Sequence, residues 1–175
     1  AVISTDKGSN LEITFDGKNI LRFGPETIAE LKTNDAKRGL SVERGTVYAV
    51  LRKLDKISGT GFGIETESAA LGVRVTTFFV RVDPTEKETY ICTCNGKLAL
   101  AKPDGSNGFE AKAPHHIANI FKKTGDAIEI VKPGPGYDHG HTDADMESLA
   151  AKIGETIDWT KIEGEDSSSS TTTEY

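Results

Sequence analysis

Cysteine is scarce in this 175-residue chain, which has two, Cys92 and Cys94. Two cannot supply the disulfide framework of a small secreted scaffold. No apolar run approaches the roughly 20 residues that a membrane-spanning helix needs, so no membrane insertion is expected. An excess of positive charge is also lacking. With 21 Lys and Arg against 27 Asp and Glu the net charge is −6, which argues against nucleic acid or anionic lipid as a partner. The signatures of common catalytic sites are missing as well: there is no Gly-x-Ser-x-Gly, no Gly-Lys-Ser/Thr phosphate loop and no Cys-x-x-Cys-His. His139-x-His141 followed by Glu147 has the look of a cupin metal motif, but a helix start falls at Thr142, where that motif requires strand. The carboxylates show no pattern that would bury and tune one as an acid or base, and they read as a solvated face. Catalysis is the weaker class, and the chain reads as a non-enzyme.

Apolar residues make up 36% of the chain and glycine occurs 18 times, a composition suited to short strands and tight turns within one domain. The densest stretch is Gly61 to Leu98. Val73 to Val82 is a run of β-branched and aromatic residues, Asp83-Pro84-Thr85-Glu86 is a turn, and Thr89 to Cys94 alternates as a second strand before Asn95-Gly96 starts the next turn. Side chains on a strand repeat every two residues, so Cys92 and Cys94 share a face. Upstream, Leu11, Ile13 and Phe15 alternate, Asp16-Gly17-Lys18-Asn19 is a hairpin turn, and Asn19 to Phe23 returns. Thr27 to Leu31 favours strand, and Leu40 to Val42 and Val47 to Leu54 continue the series with Arg44-Gly45 between them.

Beyond Lys97 the texture changes. Pro103 to Gly108 is a loop, Lys112 to Phe121 reads as a strand approaching from a loop, and Ala127 to Val131 is another strand. Lys132 to His141 is too rich in Pro and Gly for regular structure. Thr142-Asp143-Ala144-Asp145 opens a helix, with Met146, Leu149, Ala150 and Ile153 at helical spacing and Gly154 as the stop. The expected architecture is mainly β: a single-domain β-roll or sandwich of short antiparallel strands with one C-terminal helix. It divides into residues 1–131, a β domain; 132–162, a Pro/Gly/His loop plus helix packed on it; and 163–175, a Ser/Thr-rich tail that is a flexible or glycosylated stalk by composition, or a segment held by another subunit.

The order of segments resembles the FecR-like domain, a β-rich envelope module, over residues 8–101. Gly45-Thr46-Val47-Tyr48-Ala49-Val50 stands at the family's "G-x-V" turn and strand. Phe62 to Ala70 stands at "F-x-V-x-T-x-x-A", Leu71 to Val80 at "G-V-R-G-T-x-F-x-V", and Asn95 to Leu100 at the closing "G-x-V-x-V". Val75 replaces the glycine that usually follows the arginine. The resemblance implies an exported, periplasmic or cell-surface location, a non-catalytic fold, and a role in sensing, scaffolding or surface structure. The first residue, Ala rather than Met, is compatible with a cleaved signal peptide. Two roles follow: a structural subunit of a homo-oligomeric or fibrous surface assembly, pairing through the tail, or a monomeric ligand- or signal-binding sensor domain. A metal-dependent enzyme comes third.

Cys92 and Cys94 are the sharpest chemical feature. At i and i+2 on a strand their Cα atoms lie roughly 6 to 7 Å apart, poor geometry for a mutual disulfide. Thiolates favour soft metals, and all four histidines fall in two pairs, His115-His116 and His139-Gly140-His141. Adjacent residues on a strand face opposite ways, so one of His115 and His116 and one or both of His139 and His141 would complete a site for a zinc, copper or nickel-type ion or a metallocofactor. Buried inert thiols and an intermolecular disulfide are the alternatives.

Overall fold

The computed structural model describes residues 1–34, 37–52, 54 and 61–165. Eleven strands and one helix follow in order: β1 Val2–Ser4, β2 Leu11–Phe15, β3 Asn19–Phe23, β4 Ile28–Asn34, β5 Lys37–Leu51, β6 Phe62–Glu65, β7 Ala70–Asp83, β8 Glu88–Ala101, β9 Phe109–Ala113, β10 Ile117–Thr124, β11 Ala127–Val131 and α1 Asp143–Ala151. The protein is mainly β with one C-terminal helix, as its short alternating segments dictate. All pairings are antiparallel except β5 with β6.

Three long strands, β5, β7 and β8, each serve two layers. Their halves around Val47–Leu51, Thr76–Val82 and Glu88–Asn95 pair with one another and with β3 and β10, extended by β2 and β11. Their other halves pair with β4, β6 and β9, and β1 pairs with β4. The inner faces of the two layers meet in one buried cluster. Phe23, Val47, Phe78, Ile91 and Phe121 come from the first layer, and Leu40, Ile64, Leu71, Leu98 and Leu100 from the second. Aromatic stacks close the two sides, Phe15 on Phe62 at 6.2 Å and Phe109 on Phe121 at 6.4 Å.

Two glycines let the strands pass from layer to layer. The sequence suggests breaks at Arg44-Gly45 and at Asn95-Gly96, yet both strands run through. Gly45 sits at φ +96°, and a Cβ there would come within 2.4 Å of Thr27 Cα. The Thr27 hydroxyl occupies this corner, donating to the Gly24 carbonyl at 2.8 Å and accepting from the Thr46 amide at 3.0 Å. Gly96, at φ +124°, packs against Thr76, whose hydroxyl accepts from the Lys97 amide at 2.6 Å. Turn-type glycines thus serve as bends inside continuous strands, because the neighbouring strands supply partners on both sides of each. A second difference lies at 109–124, where two strands flank a corner at Pro114-His115-His116 in place of one strand.

Strand alternation leaves Tyr48, Phe79, Tyr90, Cys92, Cys94, Ala118 and Ile120 on the outer face of the first layer, and residues after β11 cover them. Helix α1 begins with a capping box. The Thr142 hydroxyl accepts from the Asp145 amide at 3.2 Å, and Asp145 Oδ2 accepts from the Thr142 amide at 2.7 Å. Met146, Leu149 and Ala150 are the helix's buried face; Leu149 and Ala150 pack on Ile20 and Val50, Met146 beside Phe79. Burying Met146 and Leu149 stabilises the docked helix by roughly 1.5–3 kcal/mol each. The expected tail residues 166–175 lie outside the described residues, as does part of the stretch expected to reach Leu54.

Gly45→Ala should destabilise the fold by about 1–3 kcal/mol, because it combines a strained φ with a backbone clash. For a chain of this size that is a melting-temperature loss of about 2–12 °C in a thermal scan. Gly134→Ala, with nothing within 4 Å of the added methyl, should leave the melting temperature within error.

Candidate metal centre

Four donors converge on the outer face of β8. Cys92 Sγ and Cys94 Sγ lie 3.6 Å apart, Cys92 Sγ is 3.2 Å from His116 Nδ1, Cys94 Sγ is 3.4 Å from His141 Nε2, and the two imidazole nitrogens are 3.3 Å apart. All four atoms lie within 4.8 Å of one another. For zinc, bonds near 2.3 Å to sulfur and 2.0–2.1 Å to nitrogen give tetrahedral edges of about 3.8 Å for S–S, 3.6 Å for S–N and 3.3 Å for N–N. The four edges given fall within about 0.4 Å of these values, and the remaining two, Cys92 to His141 and Cys94 to His116, are within 4.8 Å.

Each donor is placed by local structure. Phe78 pairs with Thr93 and Thr77 with Asn95, so Cys94 is the extra residue of a β-bulge in β8. A bulge re-aims its side chain, and here the two thiols come close without bonding. Both are free and buried, at 1% and 0% exposure, out of reach of another chain's thiol while the outer layer is in place. His116 precedes β10 and donates its amide to the Cys94 carbonyl at 2.9 Å. Its φ of +43° turns its ring to the same side as that of His115, with ring centroids 4.7 Å apart. The strand rule that sends adjacent residues to opposite faces therefore does not apply at this corner. His141 arrives on the strap of residues 132–142 and stacks on Phe79 at 4.3 Å. Arg81 secures the strap, donating to the Tyr137 hydroxyl at 3.1 Å and the Asp138 carbonyl at 2.8 Å.

Hydrogen bonds outside the four-donor set fix both imidazole tautomers. His141 Nδ1 donates to the His139 carbonyl at 2.8 Å, which leaves the Nε2 lone pair facing the thiols. His116 Nε2 donates to Asp143 Oδ1 at 2.6 Å, which leaves Nδ1 facing the same point. Carboxylate and carbonyl partners of this kind orient histidine ligands and raise their basicity. Trp159 packs on His116 at 5.2 Å and on His115 at 4.8 Å. The other two histidines of the sequence-derived set stand outside the four. His115 Nε2 lies 2.9 Å from Asp143 Oδ2, and His139 Nδ1 shares a short hydrogen bond with the Tyr90 hydroxyl.

With protons alone in the set, charge is distributed unevenly. The Cys94 S–H, followed by His116 and His141, stabilises a thiolate at Cys92 against its burial and holds that thiol well below the usual range. Burial pushes Cys94 up, reinforced by Cys92. Burial opposes a charge on His116, but the hydrogen bonds and charges of Cys92 and Asp143 outweigh it and raise its pKa. Burial and the two thiols likewise push Tyr90 up. A cleft of about 650 Å³ opens beside the cluster, lined by Tyr90, Cys92, His116, His139, His141 and Asp143 among others.

Asp143 and Trp159 carry the site's surroundings, and neither stands out in the sequence. Asp143 reads there as an ordinary first-turn acid, and only its place two residues after His141 hints at more. Asn95 fixes the Trp159 segment: its Nδ2 lies 2.7, 3.1 and 2.8 Å from the carbonyls of Pro114, Asp158 and Lys161.

A mainly β domain with a buried thiol–imidazole cluster on one sheet face is the class that fold and site define. A family model described as "FecR protein" matches residues 1–99, more than half of the 175 residues, and the chain belongs to the FecR family. No curated protein matches it by sequence. Among solved structures it is similar to a "putative anti-sigma factor" from Parabacteroides distasonis ATCC 8503, seen in two crystal structures at TM-scores of 0.58 and 0.57 with 17% identity, each covering 75% of this chain. The chain spans 59% of that protein's length. Cys92 and Cys94 lie inside the family match, and His116, His141 and Asp143 lie beyond it.

Asn95→Asp would replace a donor by a carboxylate facing three carbonyls, at roughly 1–3 kcal/mol or more. Hydrogen exchange should then quicken around residues 155–165 while the β5–β7 pairing stays protected.

Proposed function

We propose that this chain is the signal-binding domain of a FecR-type envelope regulator, and that its ligand is a soft transition-metal ion held by Cys92, Cys94, His116 and His141. One observation carries the reading: two imidazole lone pairs and two thiols converge on one centre, with four of their six edges close to those of a tetrahedral S₂N₂ ion. Two nitrogen lone pairs 3.3 Å apart repel unless a cation or proton lies between them. Four-coordinate S₂N₂ geometry suits zinc, and soft thiolates also admit copper(I); nickel(II), which favours square-planar sites, fits less well. A closed ligand set of this kind holds and reports an ion and does not activate water, in keeping with the regulatory, non-catalytic character of the family.

Family and fold favour sensing over a homo-oligomeric or fibrous surface subunit, for which the described residues offer no support. Envelope association accords with the family. No helix among the described residues is long and apolar enough to cross a membrane.

Elemental analysis of natively purified protein should find about one equivalent of zinc or copper per chain, and cobalt(II) loading should give a thiolate-to-metal charge-transfer band. Ser at both Cys92 and Cys94 should abolish binding, and His141→Ala should weaken it. Asp143→Asn should cost about 10- to 100-fold in affinity through the lost orientation of His116. Affinity should fall as pH falls, because acid returns protons to thiolates and imidazoles, and chelation should loosen residues 132–145 before the sheet melts. Protein with neither retained metal nor a cobalt band would refute the reading.

A further inference from the structure

We infer that a second, weaker divalent-cation site adjoins the first, formed by His115 Nε2, His116 Nε2 and the Asp143 carboxylate, with the His116 ring bridging the two ions. His115 Nε2 lies 3.0 and 2.9 Å from Asp143 Oδ1 and Oδ2, and His116 Nε2 lies 2.6 Å from Oδ1. The three donor groups lie within 4.8 Å of one another. His116 is the one residue common to both sets, Nδ1 turned inward to the thiols and Nε2 outward to Asp143.

The corner at Pro114-His115-His116 builds this arrangement. The positive φ of His116 puts consecutive imidazoles on one side of the chain, and Trp159 braces both rings. Among the described residues the two histidines are the ion-pair partners of Asp143, with no lysine or arginine competing. The side chains of His115 and Asp143 are 48% and 45% exposed, and His116 and Asp143 line the neighbouring cleft, so an ion has an entry path.

Two imidazoles and one carboxylate without a thiolate select a borderline divalent ion such as nickel(II), zinc(II) or copper(II), and leave positions open to water or an added ligand. When the ion binds, it takes the place of the hydrogen between His116 Nε2 and Asp143, and that proton leaves to solvent. The bridging role rests on the proposed S₂N₂ reading; the His115–Asp143–His116 site does not.

The test uses the zinc-loaded 175-residue chain titrated with nickel(II), which does not oxidise thiols, and read by native mass spectrometry and calorimetry. The expected result is one zinc plus one nickel per chain. His115→Gln should then weaken nickel binding at least about tenfold and leave the zinc in place. No nickel taken up beside the zinc, or His115→Gln binding nickel as well as the parent, would overturn the inference and show that Asp143 only orients His116. Should the chain retain no zinc, the S₂N₂ reading fails, and the titration is repeated on a Cys92→Ser, Cys94→Ser chain. There, nickel binding lost in His115→Gln still supports the outer site, and its absence overturns it.

Discussion

The alternation of side chains along β8 decides what this molecule buries between its layers and what it offers to the outer one. Ile91 joins the core between the layers, whereas Tyr90, Cys92 and Cys94 face the opposite way. A slip of one residue would exchange the two sets and place both thiols against Phe78 and Phe121. The register is pinned on both sides, by β7 and by β10, which align Cys92 with Phe79 and with Ala118. The bulge then adds what strict alternation cannot, since it lets the second thiol turn toward the first. His116 follows from the same pairing, because its amide bonds to Cys94 as the last rung before the β10 ladder.

The sequence shows the strands well wherever side-chain periodicity carries the signal. Hairpin β2–β3, the run of β7, the turn at Asp83, strand β11 and the capped helix after His141 are all visible in residue order, and the FecR resemblance places most of the sheet. Legibility fails at glycines. Gly45 and Gly96 look like ends because glycine marks turns locally, and only tertiary partners reveal that the strands continue. The site was half visible. Shared facing of Cys92 and Cys94 is a local property of a strand, and pairing them with histidine is a matter of ligand chemistry. Which histidines join is not local: His116 depends on a positive φ at a corner, and His141 depends on a strap whose docking is set by Arg81 and Phe79, distant in sequence.

Asp143 shows how one residue can answer to several levels at once. Its charge suits the first turn of a helix, which is all that local reading can see. In three dimensions the same carboxylate sets the tautomer of His116 and reaches His115. Burial alone would raise its pKa, and the two histidines reverse that effect. The helix start and the orientation of a ligand are therefore one piece of structure, and the Thr142–Asp145 capping box that fixes the helix also fixes where Asp143 stands.

Two of the four converging donors lie within the residues matched by the family and two lie beyond them, which has a thermodynamic consequence for a sensing role. An ion bound by all four adds its binding free energy to the docking of the C-terminal third, and, by reciprocity, docking raises affinity for the ion. The two parts of that third are held differently. Helix α1 is seated by apolar burial of Met146, Leu149 and Ala150, a force indifferent to metal. The strap from 132 to 142 is held by polar contacts and ring stacking: Arg81 to the Tyr137 hydroxyl and the Asp138 carbonyl, Lys132 to Asn119, Tyr90 to His139, and the rings of Tyr137 on Tyr90 and His141 on Phe79. Contacts of that size contribute about 1 kcal/mol each, well below what a thiolate-bound ion supplies. On the metal-binding reading proposed above, ion occupancy would therefore act chiefly on the strap, whose Lys132, Pro133, His139 and His141 line one side of the cleft.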